Sequence, residues 1–99
     1  MATDPSLPSV RRDALDAAYN VRAGVEAADA PLFEALRAWR RERAAEQRVP
    51  PYVIFHDATL SAIARERPGS ADELAKVSGV GQSKLKRYGA DVLKVVRTN

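Results

Sequence analysis

The chain has 99 residues, of which 45% are hydrophobic and 29% charged, with a formal net charge of +3 and no cysteine. That length makes one domain, or one domain with a tail, able to bury roughly 60% of its unfolded surface around one modest core. The lack of cysteine excludes a disulfide framework and a thiolate metal site, and a lone histidine, His56, excludes a histidine-based zinc site.

No apolar run reaches the roughly 18 residues needed to cross a membrane. The first residues, MATDPSLPSV, lack the basic-then-apolar pattern of a signal peptide, so a cytoplasmic chain is the default. Val10, Ala14, Ala18 and Val21, with Leu15 and Tyr19 beside them, fall at helical spacing over residues 10–23. Ser9 is placed to cap this segment and Gly24 to end it. The ridge is small and alanine-rich, which predicts a marginal helix or a linker. Residues 1–30 hold three arginines and five acids, a net of −2, while residues 31–50 hold five arginines and three acids, a net of +2. A boundary is therefore expected near residue 30, with 1–30 leading from an upstream domain and 31–99 forming the folded one.

The clearest helix follows. Pro31 suits a first helical position, with Asp29 or Ala30 at the cap. Leu32, Phe33, Leu36, Trp39 and Ala44 form one apolar stripe. Arg37, Arg41 and Arg48 mostly lie off it, whereas Arg40 falls near it and is a candidate structural ion-pair partner. Arg43 also falls near the stripe, so its stem should cover core while its head reaches water. Glu42 and Glu46 are an unfavourable like-charge pair four residues apart. Pro50 and Pro51 stop this helix, and "YVIF" after them predicts a buried connector.

Asp57 is placed to cap a third helix with Leu60, Ile63 and Ala64 inward, ending at "RPG", residues 67–69. Ser70 to Glu73, "SADE", is a capping box that opens a short helix with Leu74 and Val77 inward. Gly79 to Gly81, "GVG", predicts a tight turn. The last helix places Leu85, Tyr88, Val92, Leu93 and Val96 inward. Gly89 inside it suggests close approach of another helix. Residues 69–99 hold six basic residues and three acids, a net of +3, so positive charge sits in two separated segments that folding can join. No alternating strand pattern appears, and the expected fold class is all-α: four core helices plus the marginal helix or linker that leads them.

The stretch "LFEALRAWRRERA…VPPYVIFHDATLSAIARERPGSADELAKVSGVGQSKLKRYGADVL" resembles the HRDC domain, over about residues 31–97. This domain occurs near the C-terminus of RecQ-family DNA helicases, of RNase D and of some UvrD-like helicases. The arginine-rich first helix, "VPPYVIF-DATL", the proline closing the third helix and "GVG-K--YG" stand in the family's order and spacing. "PPYVIF" is closer to RecQ helicases than to RNase D. The resemblance implies a compact helical bundle that binds nucleic acid weakly, often single-stranded DNA, and tunes which DNA structures a helicase engages. It places Tyr52 on the single-strand contact surface.

The residues themselves supply a physical reason. Pro50 and Pro51 have fixed φ and little freedom left to lose, so they can hold Tyr52 pre-organised for a base to stack on. Such stacking is worth roughly 1–3 kcal/mol and tolerates any base. Arginines nearby would track phosphates, and Arg40, Arg41 and Arg48 are the geometric candidates. The bland alternative is that Tyr52 packs on the bundle with its hydroxyl wet. The residues alone leave both open.

"GVGQSKLKRYG" is a second candidate, since it resembles a helix–hairpin–helix element and exposed amides at a helix start can hold a phosphate. Lys84 and Arg87 lie one turn apart, on the face expected to point away from Leu85 and Tyr88. A plain glycine turn between two helices is the alternative. His56 is expected to be a boundary residue and Trp39 partly buried core.

No phosphate loop or acidic two-metal cluster is present, so no catalysis and no cofactor are expected of this chain alone. The expected role is that of an accessory domain of a RecQ-type DNA helicase, monomeric, binding single-stranded or structured DNA. The alternatives are a module that docks on its own helicase core or a partner protein, and an RNase D-type RNA-processing domain.

Overall fold

Pro31 sets the start of the longest helix. In the computed structural model, which describes residues 25–99, α1 runs Ala30–Gln47 with this proline in its first turn, where a missing N–H breaks no bond. The helix expected over residues 10–23, with its Ser9 cap and Gly24 end, lies outside the described residues. A 3-10 turn, Ala27–Asp29, precedes α1, and Val25 ahead of it is buried in the core. Asp29 occupies the cap position, but its side chain accepts no capping bond.

The stripe of α1 packs inward as its spacing predicts. Leu32, Phe33 and Leu36 are fully buried, Ala44 nearly so, and Trp39 is half-buried. Each such large apolar side chain contributes about 1.5–3 kcal/mol on burial. The like charges of Glu42 and Glu46 are relieved by Arg43, whose guanidinium lies 2.8 Å from Glu46, 3.8 Å from Glu42 and 4.0 Å from Asp91 of the last helix.

α1 ends at Arg48, which takes a left-handed conformation, φ 56°. The Val49 N–H closes the helix on the Ala44 carbonyl at 3.0 Å. The chain then turns into Pro50 and Pro51. The expected connector is instead one turn of helix, α2, Pro51–Ile54. The reason lies in the proline pair. Pro50 is extended and its carbonyl accepts the first bond, donated by the Val53 N–H at 3.0 Å, while Pro51 enters the helix at the position that needs no donor.

α3 runs Asp57–Glu66 and buries Leu60, Ile63 and Ala64. Its cap residue is His56 rather than the expected Asp57, and no side chain caps it. Asp57 occupies the first turn, where a carboxylate suits the helix dipole. Arg67, left-handed at φ 49°, ends the helix before the buried Pro68. α4, Ala71–Ala75, opens with Ser70 Oγ accepting from the Glu73 N–H at 3.2 Å. The Glu73 carboxylate returns to the Gly69 N–H at 2.6 Å, one residue earlier than a capping box requires. Ser70→Ala should cost about 1 kcal/mol in chemical denaturation, the usual loss of an N-cap.

Gly79 makes the turn to the last helix at φ 93°, and a Cβ there would collide with the buried Thr59 hydroxyl of α3. α5, Gln82–Thr98, buries Tyr88, Gly89 and Val92. A Cβ at Gly89 would meet Leu85 of its own helix at 3.2 Å before Leu74 of α4 at 3.9 Å. α1 is the centre of the bundle and packs against α2, α3 and α5, while α4 packs on α5. No strand occurs among the described residues, and none of their helices is long and apolar enough to cross a membrane.

Candidate nucleic-acid interface

A single helical turn has no stability of its own. α2 is held by what surrounds it. Ile54 and Phe55 point down and are fully buried. The Phe55 ring joins Trp39 at 6.1 Å and Tyr88 at 5.9 Å, and Trp39 meets Tyr88 edge-on at 5.5 Å. Tyr88 is fixed in turn by Gln47 Nε2, which donates to its hydroxyl at 2.7 Å.

Two cations from different helices close over the turn. Arg40 Nη1 of α1 donates to the Phe55 carbonyl at 2.9 Å, and its Nη2 lies 2.8 Å from Asp57 Oδ1. Lys84 Nζ of α5 donates to the Val53 carbonyl at 3.0 Å and sits 5.4 Å from the Phe55 ring centroid. Carbonyls at the end of a helix lack intrahelical donors, so a cation suits them.

Tyr52 and Val53 face outward from this mount. They are 59% and 42% exposed and are the large apolar side chains left exposed among the described residues. The His56 ring stands 6.0 Å from that of Tyr52, tilted by 24°. Pro51, Tyr52, His56, Asp57 and Ala58 line a shallow cleft together with Arg40. The acid on this lining, Asp57, is neutralised by Arg40.

The residues expected to bind nucleic acid divide into two groups. Arg41 lies exposed on α1, and Arg48 is exposed four residues before Tyr52; neither forms an ion pair among the described residues. Arg87 is exposed on α5, its guanidinium 5.4 Å from the Tyr88 ring. Arg40, by contrast, is buried, with a side chain 9% exposed and two donors committed to the fold. This is the ion-pair role its place near the stripe allowed. Lys84 does not point away from the core as expected. It folds across Phe55 and reaches the Tyr52 turn, because α5 starts beside α2.

Gly81 takes an ordinary φ of −81° at the cap of α5, and a Cβ there would meet nothing within 4 Å. Two further residues share this surface: His56, expected as a boundary residue and found at the cap of α3, and Val53, expected within a buried connector but exposed. A run of four apolar residues has no period from which to tell Val53 out from Ile54 in. The Tyr52-to-His56 spacing of four was the available signal for the ring pair.

Among the described residues, an all-helical bundle mounts an exposed aromatic turn beside cations, an architecture that suits an accessory domain. The chain belongs to the HRDC domain family, whose profile matches residues 29–96. It is 46% identical over 69 residues to the ATP-dependent DNA helicase UvrD2 of Mycobacterium tuberculosis, covering 70% of this chain and 10% of that protein. It is also 46% identical over 66 residues to the ATP-dependent DNA helicase RecQ of Bacillus subtilis, covering 67% of this chain and 11% of that one. The third HRDC domain of D. radiodurans RecQ superposes with a TM-score of 0.69 at 40% identity, covering 71% of this chain and 92% of that one. The HRDC1 domain of the Deinococcus radiodurans RecQ helicase is 64% identical, with a TM-score of 0.51, covering 71% of this chain and 93% of that one. The chain thus spans about a tenth of the helicases it matches.

Proposed function

We propose that this domain is an accessory nucleic-acid-binding module of a RecQ- or UvrD2-type DNA helicase, and that it holds single-stranded or junction DNA weakly without reading its sequence. The observation that carries the reading is the 59% exposure of Tyr52 on a turn fixed by two prolines and a buried aromatic cluster. A ring presented in this way loses little freedom when a base stacks on it. Arg48 and Arg41 are the uncommitted cations on the α1 side that would follow the phosphates. Unwinding and ATP hydrolysis belong to other parts of such a helicase.

The test is a titration of the isotope-labelled domain with a short oligothymidylate, read by amide chemical shifts. Shifts centred on residues 48–56 and an affinity in the micromolar range or weaker, falling with salt, are expected. Silence at these residues would instead favour docking on a helicase core or another protein, and tighter binding of RNA of equal length would favour an RNA-processing role. Arg48 separates charge from fold. Arg48→Gly removes a cation from a left-handed position that glycine prefers, so the domain should gain about 1 kcal/mol of stability. Its DNA affinity should fall, and its salt slope should drop by about 0.7. Thermal melts and titrations at several salt concentrations measure both.

A further inference from the structure

The geometry points to Lys84 as a positioning residue that sets the Tyr52 platform, rather than as a grip on phosphate. This rests on the reading of Tyr52 as the stacking ring. α2 has four residues, and the Val53 and Phe55 amides bond back to Pro50 and Pro51 at 3.0 and 3.4 Å. The second of these is long, so the turn is weakly closed by its own backbone. Its outward carbonyls are taken from two sides, Phe55 O by Arg40 and Val53 O by Lys84. Arg40 is a buried, permanent part of the bundle. Lys84 is half-buried and arrives from α5, far along the chain, through one hydrogen bond and the face of Phe55.

Lys84 therefore acts as a latch. While its ammonium holds Val53 O, the residue next to Tyr52 is pinned and the phenol ring keeps one direction. When the latch is absent, the turn frays from its C-terminal end and the ring samples directions in which a base cannot stack. A cation committed to a carbonyl adds little to phosphate neutralisation, so its removal lowers affinity without changing how many counterions DNA binding releases.

The test compares the intact domain with Lys84→Met, which keeps a stem over Phe55, and Lys84→Arg, which keeps the charge and donors. Without DNA, hydrogen exchange at the Val53 and Phe55 amides should speed up in Lys84→Met and return toward the parent rate in Lys84→Arg. With an oligothymidylate, Lys84→Met should bind about fivefold more weakly, the effect of one solvent-reached charged hydrogen bond, with an unchanged salt slope. In a Tyr52→Ala background the same change should have no further effect, because both act through one ring.

Unchanged exchange at both amides overturns the latch. So does a salt slope reduced by about 0.7 with an equal loss in the Tyr52→Ala background, which makes Lys84 a direct phosphate contact. If Tyr52→Ala alone leaves affinity intact while exchange still speeds up in Lys84→Met, the stacking reading fails and Lys84 remains a device of local structure only.

Discussion

Tyr52→Ala is expected to weaken single-stranded DNA binding by about 1–3 kcal/mol, roughly five- to 150-fold, and to leave the fold intact. The two halves of this prediction have separate physical origins. The ring is 59% exposed, so truncating it removes little buried area and opens no cavity in the core. Ile54 and Phe55, which anchor the same turn, are untouched. The binding loss comes from the stacking face alone, and it should not depend on base identity, since every base has one. Tyr52→Phe keeps the face and should bind within about twofold of the parent, because an exposed hydroxyl adds little. Fluorescence anisotropy with labelled oligonucleotides measures both, and circular dichroism checks the fold. Equal affinity for a well-folded Tyr52→Ala domain removes the ring from the interface.

Arg40→Met should act in the opposite manner, through stability. The substitution leaves the buried stem in place but strips two interactions at once: the hydrogen bond to Phe55 O and the ion pair with Asp57. Losing the partner of a buried charge pair costs about 3–5 kcal/mol. The Asp57 side chain is 47% exposed and keeps access to water, so the cost here is smaller, about 2–3 kcal/mol. For a domain of this size that lowers the melting midpoint by roughly 10–20 °C. Asp57→Asn should cost less, about 1 kcal/mol, since the Phe55 bond survives. A variant at Arg40 that melts normally but binds DNA with a shallower salt slope would return Arg40 to the phosphate-binding set.

Together these variants separate residues that touch DNA from residues that hold the surface in shape. Tyr52 and Arg48 should change binding with little or favourable effect on stability. Arg40 should change stability first. Lys84 lies between, affecting the direction of one turn.

Several features were legible from local chemistry. The stripe Leu32–Leu36–Ala44, the Ser70 cap, the left-handed Gly79 turn and the inward positions of α5 all follow from period, capping or backbone freedom within a few residues. The resemblance carried by "VPPYVIF" and "GVG-K--YG" pointed to the family that the comparisons bear out. Other features were not legible. Nothing local told whether Pro50–Pro51 would interrupt the chain or start a new turn, because a proline pair suits either. Nothing local told that Lys84 would fold inward, because its helical neighbours allow both directions and the acceptor, Val53 O, lies 31 residues away.

By itself the chain determined an all-helical module that resembles the HRDC family, the inward faces of its longer helices, and an aromatic directly after a proline pair. Only the tertiary structure decided which cations remain available to a ligand. Helix period and caps are short-range consequences of backbone and side-chain sterics. The fate of a long cationic side chain depends on which carbonyl or carboxylate another helix brings within about 3 Å, and that is settled when α1 and α5 close on the turn between them.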